Sequence, residues 1–548
     1  MSNIPLEPTP SAYTFPLLIK HLLYTPLAYS PDQEIVYADL HRYSYTALRQ
    51  RIGQLAAGLA GVGIKPGDTV AVMDWDSHRY LECFFAIPMI GAVLHTINIR
   101  LSPEQILYTI NHAEDDVILV HTDFLPVLEQ IANRMEKRAK FVLLRDDTDP
   151  PDVSIDLVAE YEELLAASTG DYEFDDFDEN TRATTFYTTG TTGQPKGVYY
   201  SHRQLVIHTL GAMSALGTAG GHARFHRDDV YMPITPMFHV HAWGMPYVAT
   251  VMGVKQVYPG RYVPEKLLAT IARENVTFSH CVPTILHMLL SSPAIKETSL
   301  KGWKVVIGGS ALPRSLAKRA MELGIDIFGG YGLSETGPVL TLAQLDASML
   351  EADPNDQLVI RCKAGRPLPL VDLRVVDEDM NDVPHDGEAA GEVVVRAPAL
   401  TQAYLKNPDA SEKLWQGGYL HTGDIGNIDA DGYLKVTDRI KDVIKSGGEW
   451  ISSLTLEDII SQHPGVSEVA AIGVPDEKWG ERPMALVVPN PDHENGVTED
   501  DIKDLVKGQA DKGVISQWAV PDRVQFVEQI AKTSVGKIDK KLLRQKYT

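Results

Sequence analysis

Tyr187-Thr188-Thr189-Gly190-Thr191-Thr192-Gly193-Gln194-Pro195-Lys196-Gly197 gathers hydroxyls, glycines and one lysine into a single run, and an apolar stretch, Val198-Tyr199-Tyr200, follows directly. Glycines let successive backbone N–H groups turn inward as an anion-binding nest. Threonine hydroxyls add donors and a metal contact, and the lysine adds a point charge. This is chemistry for holding a polyphosphate. Taken alone, the run also reads as a flexible Thr/Gly surface hairpin. It is not the loop of the P-loop NTPases, which ends in Gly-Lys-Ser/Thr where a helix begins. Here Pro195 precedes the lysine and Gly197 follows it.

At 548 residues the chain exceeds one core and predicts two to four domains or subdomains. Its 44% apolar and 22% charged content is that of a soluble globular protein. The net charge of −23 argues against nucleic acid and anionic membranes as partners, since both call for basic footprints. The three cysteines, Cys83, Cys281 and Cys362, lie far apart, which predicts a reducing compartment, the cytoplasm, and no cysteine metal site. The N-terminus has neither a basic nor an apolar region of a secretory signal. The most apolar stretch, Cys83–Leu94, is too short to span a bilayer and reads as a buried helix.

Tyr45 to Val62 carries Leu48, Ile52, Leu55, Leu59 and Val62 at helical spacing, and Gly63-Ile-Lys-Pro-Gly67 stops it before a buried strand at 69–73. Helix 78–92 then leads to a strand around 95–97, and helix 103–112 to a strand at 117–120. Such alternation predicts an α/β sheet with parallel strands. The acidic stretches 145–152 and 171–180 read as solvated loops. Segments 391–396 and 432–436 read as strands of a small β-rich subdomain. After Asp438 the pattern becomes compact α+β: helix 453–462, strands 469–473 and 484–488, helix 499–508, strand 523–526.

More motifs follow in order. Pro236-Met-Phe-His239-Val240-His241-Ala-Trp243-Gly244 comes after a strand and before an apolar helix. Gly308-Gly309-Ser310-Ala311-Leu312-Pro313 follows the strand Lys-Val-Val-Ile, and its small residues admit a flat ring closely. Then come Phe328-Gly329-Gly330-Tyr331-Gly332-Leu333-Ser334-Glu335-Thr336, Tyr419-Leu-His-Thr422-Gly423-Asp424, Asp438-Arg439-Ile-Lys441-Asp442 and Lys445-Ser-Gly-Gly-Glu-Trp450. Last is Lys532-Thr-Ser-Val-Gly536-Lys537-Ile-Asp539-Lys540. Histidines 202, 208, 222 and 226 show no HExxH spacing, which argues against zinc.

Together these motifs resemble the adenylate-forming superfamily of acyl-CoA synthetases, firefly luciferase and peptide-synthetase adenylation domains. The resemblance covers nearly the whole chain and is closest in pattern to medium- and long-chain fatty acid–CoA ligases. It implies an α/β fold with a large N-terminal domain of α/β sheets plus the β-rich subdomain (1–437), and a small mobile α+β C-terminal domain (438–548). It also implies ATP, Mg²⁺ and CoA as partners of a carboxylic acid, and a homodimer through the N-terminal part.

Residue by residue, the resemblance assigns the triphosphate to Thr188, Thr189, Gly190, Thr191, Thr192, Gly193 and Lys196. Adenine falls to Gly309, Ser310, Ala311, Gly330, Tyr331 and Ser334, with Tyr331 stacked on the base. Glu335, with Thr188, takes the magnesium; one carboxylate plus substrate phosphates suffices for that ion. Asp424 takes the ribose diol, and Arg439, Lys445 and Trp450 make further nucleotide contacts. His239 sits where the acyl carboxylate meets the α-phosphate. Val240, Trp243 and Gly329 belong to the acyl pocket, Trp243 matching a tunnel gate of the long-chain enzymes. Lys441 is the hinge and Lys537 the catalytic lysine.

The chain departs from the family at Gly329, where glutamine is common, at Ser334 for threonine and at Ala531 for proline. The first departure predicts a wider pocket. Three other readings stand beside acyl-CoA ligation. A peptide-synthetase module carries an aspartate near Phe238–His241, which is missing here. A luciferase-like oxygenase shares the motifs. A non-catalytic binding protein calls for decay at Lys537, Glu335 or the Thr/Gly loop, and all three are intact.

Overall fold

Helix 78–89 lies at the centre of the molecule, buried along all twelve residues. Such a helix carries no solvent face and packs between layers rather than on a surface. It stops three residues short of the predicted 92, because Pro88 sits in its last turn and Gly91 takes φ +75°. Pro88 has no N–H for the Phe84 carbonyl, and the Tyr247 hydroxyl donates to that oxygen instead, at 3.1 Å. Ser77 caps the other end. The charges this helix buries are paired: Glu82 with Arg51, and Arg79 with Asp74 and Asp146, as buried ions must be.

The computed structural model describes residues 6–146, 152–188, 194–220, 223–446, 449–491, 493 and 496–548. Two large sheets flank the central helix. One has seven strands in the order 157–160, 140–144, 117–121, 69–73, 93–96, 182–188, 196–201. It is parallel up to its last pair, which is antiparallel, Thr188 opposite Lys196. The two ends of the motif run therefore lie on paired antiparallel strands rather than at a strand–helix junction, the physical reason it departs from the P-loop pattern. The helix follows one strand later, at His202–Thr218, behind a Ser201 capping box.

The second sheet has nine strands, with 326–332, 304–307, 278–281, 230–233, 255–258 and 34–37 parallel in its middle. The main core includes residues of both sheets and of helices 45–61, 78–89, 202–218 and 245–252. The β-rich part is a four-stranded antiparallel sheet of 372–376, 391–396, 420–428 and 434–439. The small C-terminal domain has its own sheet, built on a long ribbon of 466–476 and 480–489. Helices 453–461 and 499–511 cover that sheet. Sheet membership changes between Arg439 and Ile444, so the last strand of the large part runs past residue 437. The loop 171–180 is clasped by Lys20, which pairs with Asp176. Among the described residues no helix is long and apolar enough to cross a membrane.

Candidate active site

Ligands of open α/β sheets sit beyond the carboxyl ends of the strands, and the motifs gather there. Strand 304–307 ends at Gly308 and Gly309, and beyond them Ser310 and Ala311 lie exposed. A Cβ at Gly308 would stand 3.0 Å from the Gly330 carbonyl oxygen and 3.0 Å from the Trp243 ring. Gly308 is thus what lets the indole lie against this strand end. Gly330 is similarly tight, its Cβ position 3.0 Å from Val306.

Tyr331 leaves the same sheet and donates its hydroxyl to Asp424 Oδ2 at 2.8 Å. Arg439 takes the other oxygen, Nε to Oδ1 at 3.0 Å, from the neighbouring strand. Asp424 is buried, so both lone-pair faces are met by protein donors. Glu335 lies in the turn 334–336, whose Ser334 carbonyl accepts from Tyr200. Tyr404 donates to Glu335 Oε1 at 2.8 Å, and its ring lies 4.6 Å beneath the Lys196 ammonium. The Leu405 amide bonds the Gly197 carbonyl. Tyr404 thus ties the end of the Thr/Gly hairpin to the acidic turn. Sequence reasoning missed it; an isolated tyrosine 69 residues from its partner carries no local signal.

Lys537 comes from the far end of the chain. Its Cε would be 3.2 Å from a Cβ at Gly309. Burial, with Arg439 and Lys441 nearby, pulls its ammonium down to about 8, against the opposing pull of Asp424 and Glu335. The residues expected to act together are therefore in one electrostatic neighbourhood. His239 shares it: burial, Lys537 and Arg100 hold its imidazole at about 3, so it is neutral at pH 7.

Val240, His241, Ala242 and Trp243 all have φ between +47° and +60°. Four successive L-residues in the left-handed region are costly, at about 1–2 kcal/mol each. The turn is locked from both sides. His241 donates from Nε2 to Thr184 Oγ1 at 2.8 Å, while that hydroxyl donates to Leu94 O. The Trp243 indole meets the His280 ring at 5.0 Å. Burial lowers both His241 and His280 to about 3.

Gly329 faces elsewhere. A Cβ there would stand 2.2 Å from the Lys363 carbonyl oxygen. Its glycine serves a close backbone approach from residues 361–363, so the space a Cβ would take is filled by backbone. Lys445 and Trp450 are paired across the hairpin 444–446/449–451 of the C-terminal sheet. Lys441 lies in the turn between Arg439 and that hairpin. Thr189, Gly190, Thr191, Thr192 and Gly193 lie outside the described residues.

No cluster of three or more metal-ligating side chains occurs among the described residues. A divalent ion held mainly by phosphate oxygens fits this donor set, since Tyr404 engages only Oε1 of Glu335.

Two family models match the chain: AMP-binding enzyme over residues 25–405, and AMP-binding enzyme C-terminal domain over 455–537. A long-chain-fatty-acid–CoA ligase of Thermus thermophilus is 41% identical, covering 93% of this chain and 91% of the relative. A 3-methylmercaptopropionyl-CoA ligase of Ruegeria lacuscaerulensis is 37% identical, covering 97% and 98%. The crystal structure of the anthranilate CoA ligase AuaEII in complex with anthranoyl-AMP shares the fold, with a TM-score of 0.84 at 24% identity over 97% of this chain and 98% of that one. With both family models matched in order and these relatives aligned along nearly its full length, the chain belongs to the AMP-binding enzymes of the adenylate-forming superfamily.

Proposed function

We propose that the protein is an AMP-forming acyl-CoA ligase acting on a medium- or long-chain fatty acid. The observation that carries the reading is that Lys537, from the C-terminal domain, is seated against Gly309 of the large domain, within the electrostatic field of Glu335, Asp424 and Arg439. In the first step a substrate carboxylate oxygen attacks the α-phosphorus of ATP. The bond to the bridging oxygen breaks and pyrophosphate leaves with that electron pair. The carboxylate is already ionised, so positioning and charge neutralisation carry the step. Lys537 offsets the charge that grows on the α-phosphate. Asp424 exchanges its protein donors for the ribose hydroxyls. Glu335 and Thr188 would hold Mg²⁺, which supplies further charge neutralisation at the phosphates. His239, being neutral, orients the acyl carboxylate by a hydrogen bond without fixing a salt bridge to it.

The C-terminal domain then turns about Lys441, withdrawing Lys537. The CoA sulfur attacks the acyl carbonyl carbon, the mixed-anhydride C–O bond breaks, and AMP leaves. The neutral His239, His241 and His280 support an uncharged acyl chain over a dicarboxylate. One observation favours a second reading: Trp243 is closed on Gly308, which suits a short acid such as a thioether carboxylate. A homodimer and a cytoplasmic location complete the proposal; all three cysteines are free, in keeping with the latter.

The test is pyrophosphate release with ATP and magnesium across straight-chain acids and a short thioether acid, with and without CoA. Turnover peaking at six or more carbons, with acyl-CoA formed only when CoA is present, is expected. Preference for the thioether acid would replace the substrate assignment, and carboxylate-independent release would overturn the ligase.

A further inference from the structure

Two segments of the large domain grip the loop that carries Lys537. One is Asn98-Ile99-Arg100, just beyond strand 93–96 of the seven-stranded sheet. Asn98 is buried, and its Nδ2 donates to Ser534 Oγ at 3.0 Å while its Oδ1 accepts from the Arg100 amide at 3.0 Å. Arg100 donates from its guanidinium to the Ser534 carbonyl at 3.3 Å. That guanidinium lies 5.9 Å from both the Phe238 and Tyr262 rings. Those rings are themselves fixed, since Asp76 accepts from the Tyr262 hydroxyl and from the Met237 amide. The second segment opens helix 283–291 beyond the nine-stranded sheet. Thr284 donates from Oγ1 to the Gly536 carbonyl at 3.0 Å. Between the two grips, Val535 is buried in the core of the large domain.

The loop is rigid within itself. The Thr533 amide donates to Lys537 O at 2.7 Å, Gly536 N to Thr533 O at 2.9 Å, and Lys537 N to Thr533 Oγ1 at 3.2 Å. A preformed turn held at residues 534, 535 and 536 leaves the next residue, Lys537, one defined reach. Gly536 makes the seat possible. It takes φ +83°, and a Cβ there would come within 3.0 Å of Thr284 Oγ1.

We propose that Asn98, Arg100 and Thr284 are positioning residues that clasp the lysine loop and so set the balance between the two arrangements of the C-terminal domain. The proposal rests on the ligase reading and deepens it. Every clasp contact joins the two domains, so each is lost when the C-terminal domain turns away. A contact made in only one of two arrangements shifts their populations by its own free energy. The clasp therefore favours acyl-adenylate formation and opposes the thioester step.

The test uses the full-length protein and the acid that gives most pyrophosphate. Asn98→Ala, Arg100→Met and Thr284→Val are compared in two half-reactions. These are acid-dependent pyrophosphate release without CoA, and single-turnover thioester formation from supplied acyl-adenylate and CoA. Each variant is expected to lose about 3- to 10-fold in the first, the worth of one hydrogen bond. The second is expected to be unchanged or faster, which also shows that the variant is folded. Thr284→Ser is expected to restore the first. Trypsin cleavage after Lys537 in the substrate-free protein is expected to speed up in the variants. Equal losses in both half-reactions, or wild-type rates in the first, would overturn the clasp while leaving the ligase standing. A wild-type protein that forms no acyl-adenylate would overturn both.

Discussion

Asp424 and Trp243, the two sides of the proposed site, are held in place by different physics. Asp424 sits in a lattice of charge-assisted bonds, with Tyr331 on one oxygen and Arg439 on the other. Nearby, Glu335 and Lys196 are linked through Tyr404. Trp243 has neutral imidazoles for neighbours, a glycine beneath it and a backbone turn of the wrong hand. In the proposed reaction the side around Asp424 would exchange its internal partners for nucleotide groups of like chemistry. The side around Trp243, the proposed acyl wall, has no such charge pair and would select by shape. The contrast carries a lesson: shape is altered by single side chains, whereas a charge lattice fails when one member is removed.

Lys537→Ala breaks the charged half hardest. Adenylation is expected to fall by on the order of 10²–10³-fold, the effect of removing one preorganised charge donor, while thioester formation from supplied acyl-adenylate persists. Equal loss in both half-reactions, measured by pyrophosphate release and acyl-CoA yield, would contradict the domain rotation. The same lysine sharpens the comparison through pH. Its pKa lies below the ordinary value, at about 8, so the ammonium is complete below that pH and is lost as pH rises through it. The adenylation kcat/KM is therefore expected to decline above about pH 8, and Lys537→Ala should abolish that limb of the profile.

On the acyl side, Trp243→Ala opens space over Gly308 without touching a charge. The kcat/KM ratio of long to short acids should rise by about 10-fold, within the range set by a few methylenes, with the pH profile unchanged. A shifted profile would show that the two halves are not separable. The smallest effect on catalysis is expected from Gly329→Ala. Its new methyl would push against the Lys363 carbonyl, costing about 1–3 kcal/mol of stability as overpacking does. A lower denaturation midpoint with unaltered acid preference is the expected result. An altered preference would return Gly329 to the pocket.

The sequence made the layered α/β part legible because its signals are local. Leu48, Ile52, Leu55 and Leu59 mark the inner face of helix 45–61, and the apolar run Val70–Met73 marks the strand 69–73. The residues proposed for the charged half stand out in sequence for the same reason: they lie in short motifs at strand ends. What escaped reading depends on contacts between distant segments. Asn98 and Ser534 are 436 residues apart, and nothing periodic links them. The direction of a missing side chain at Gly329 is set by the backbone of 361–363, which the motif does not contain. The hand of the turn at 240–243 runs against the intrinsic preference of every residue in it, so only tertiary packing could reveal it.

The left-handed turn at 240–243 also makes local backbone depend on a distant sheet. Left-handed backbone is unfavourable for Val240–Trp243 taken alone, so its path is held by contacts from outside it, among them the Thr184 hydroxyl that joins His241 to Leu94 of the seven-stranded sheet. A substitution that loosens the sheet at Leu94 or Thr184 therefore also loosens the wall beside Trp243, and stability and the shape of that wall change together.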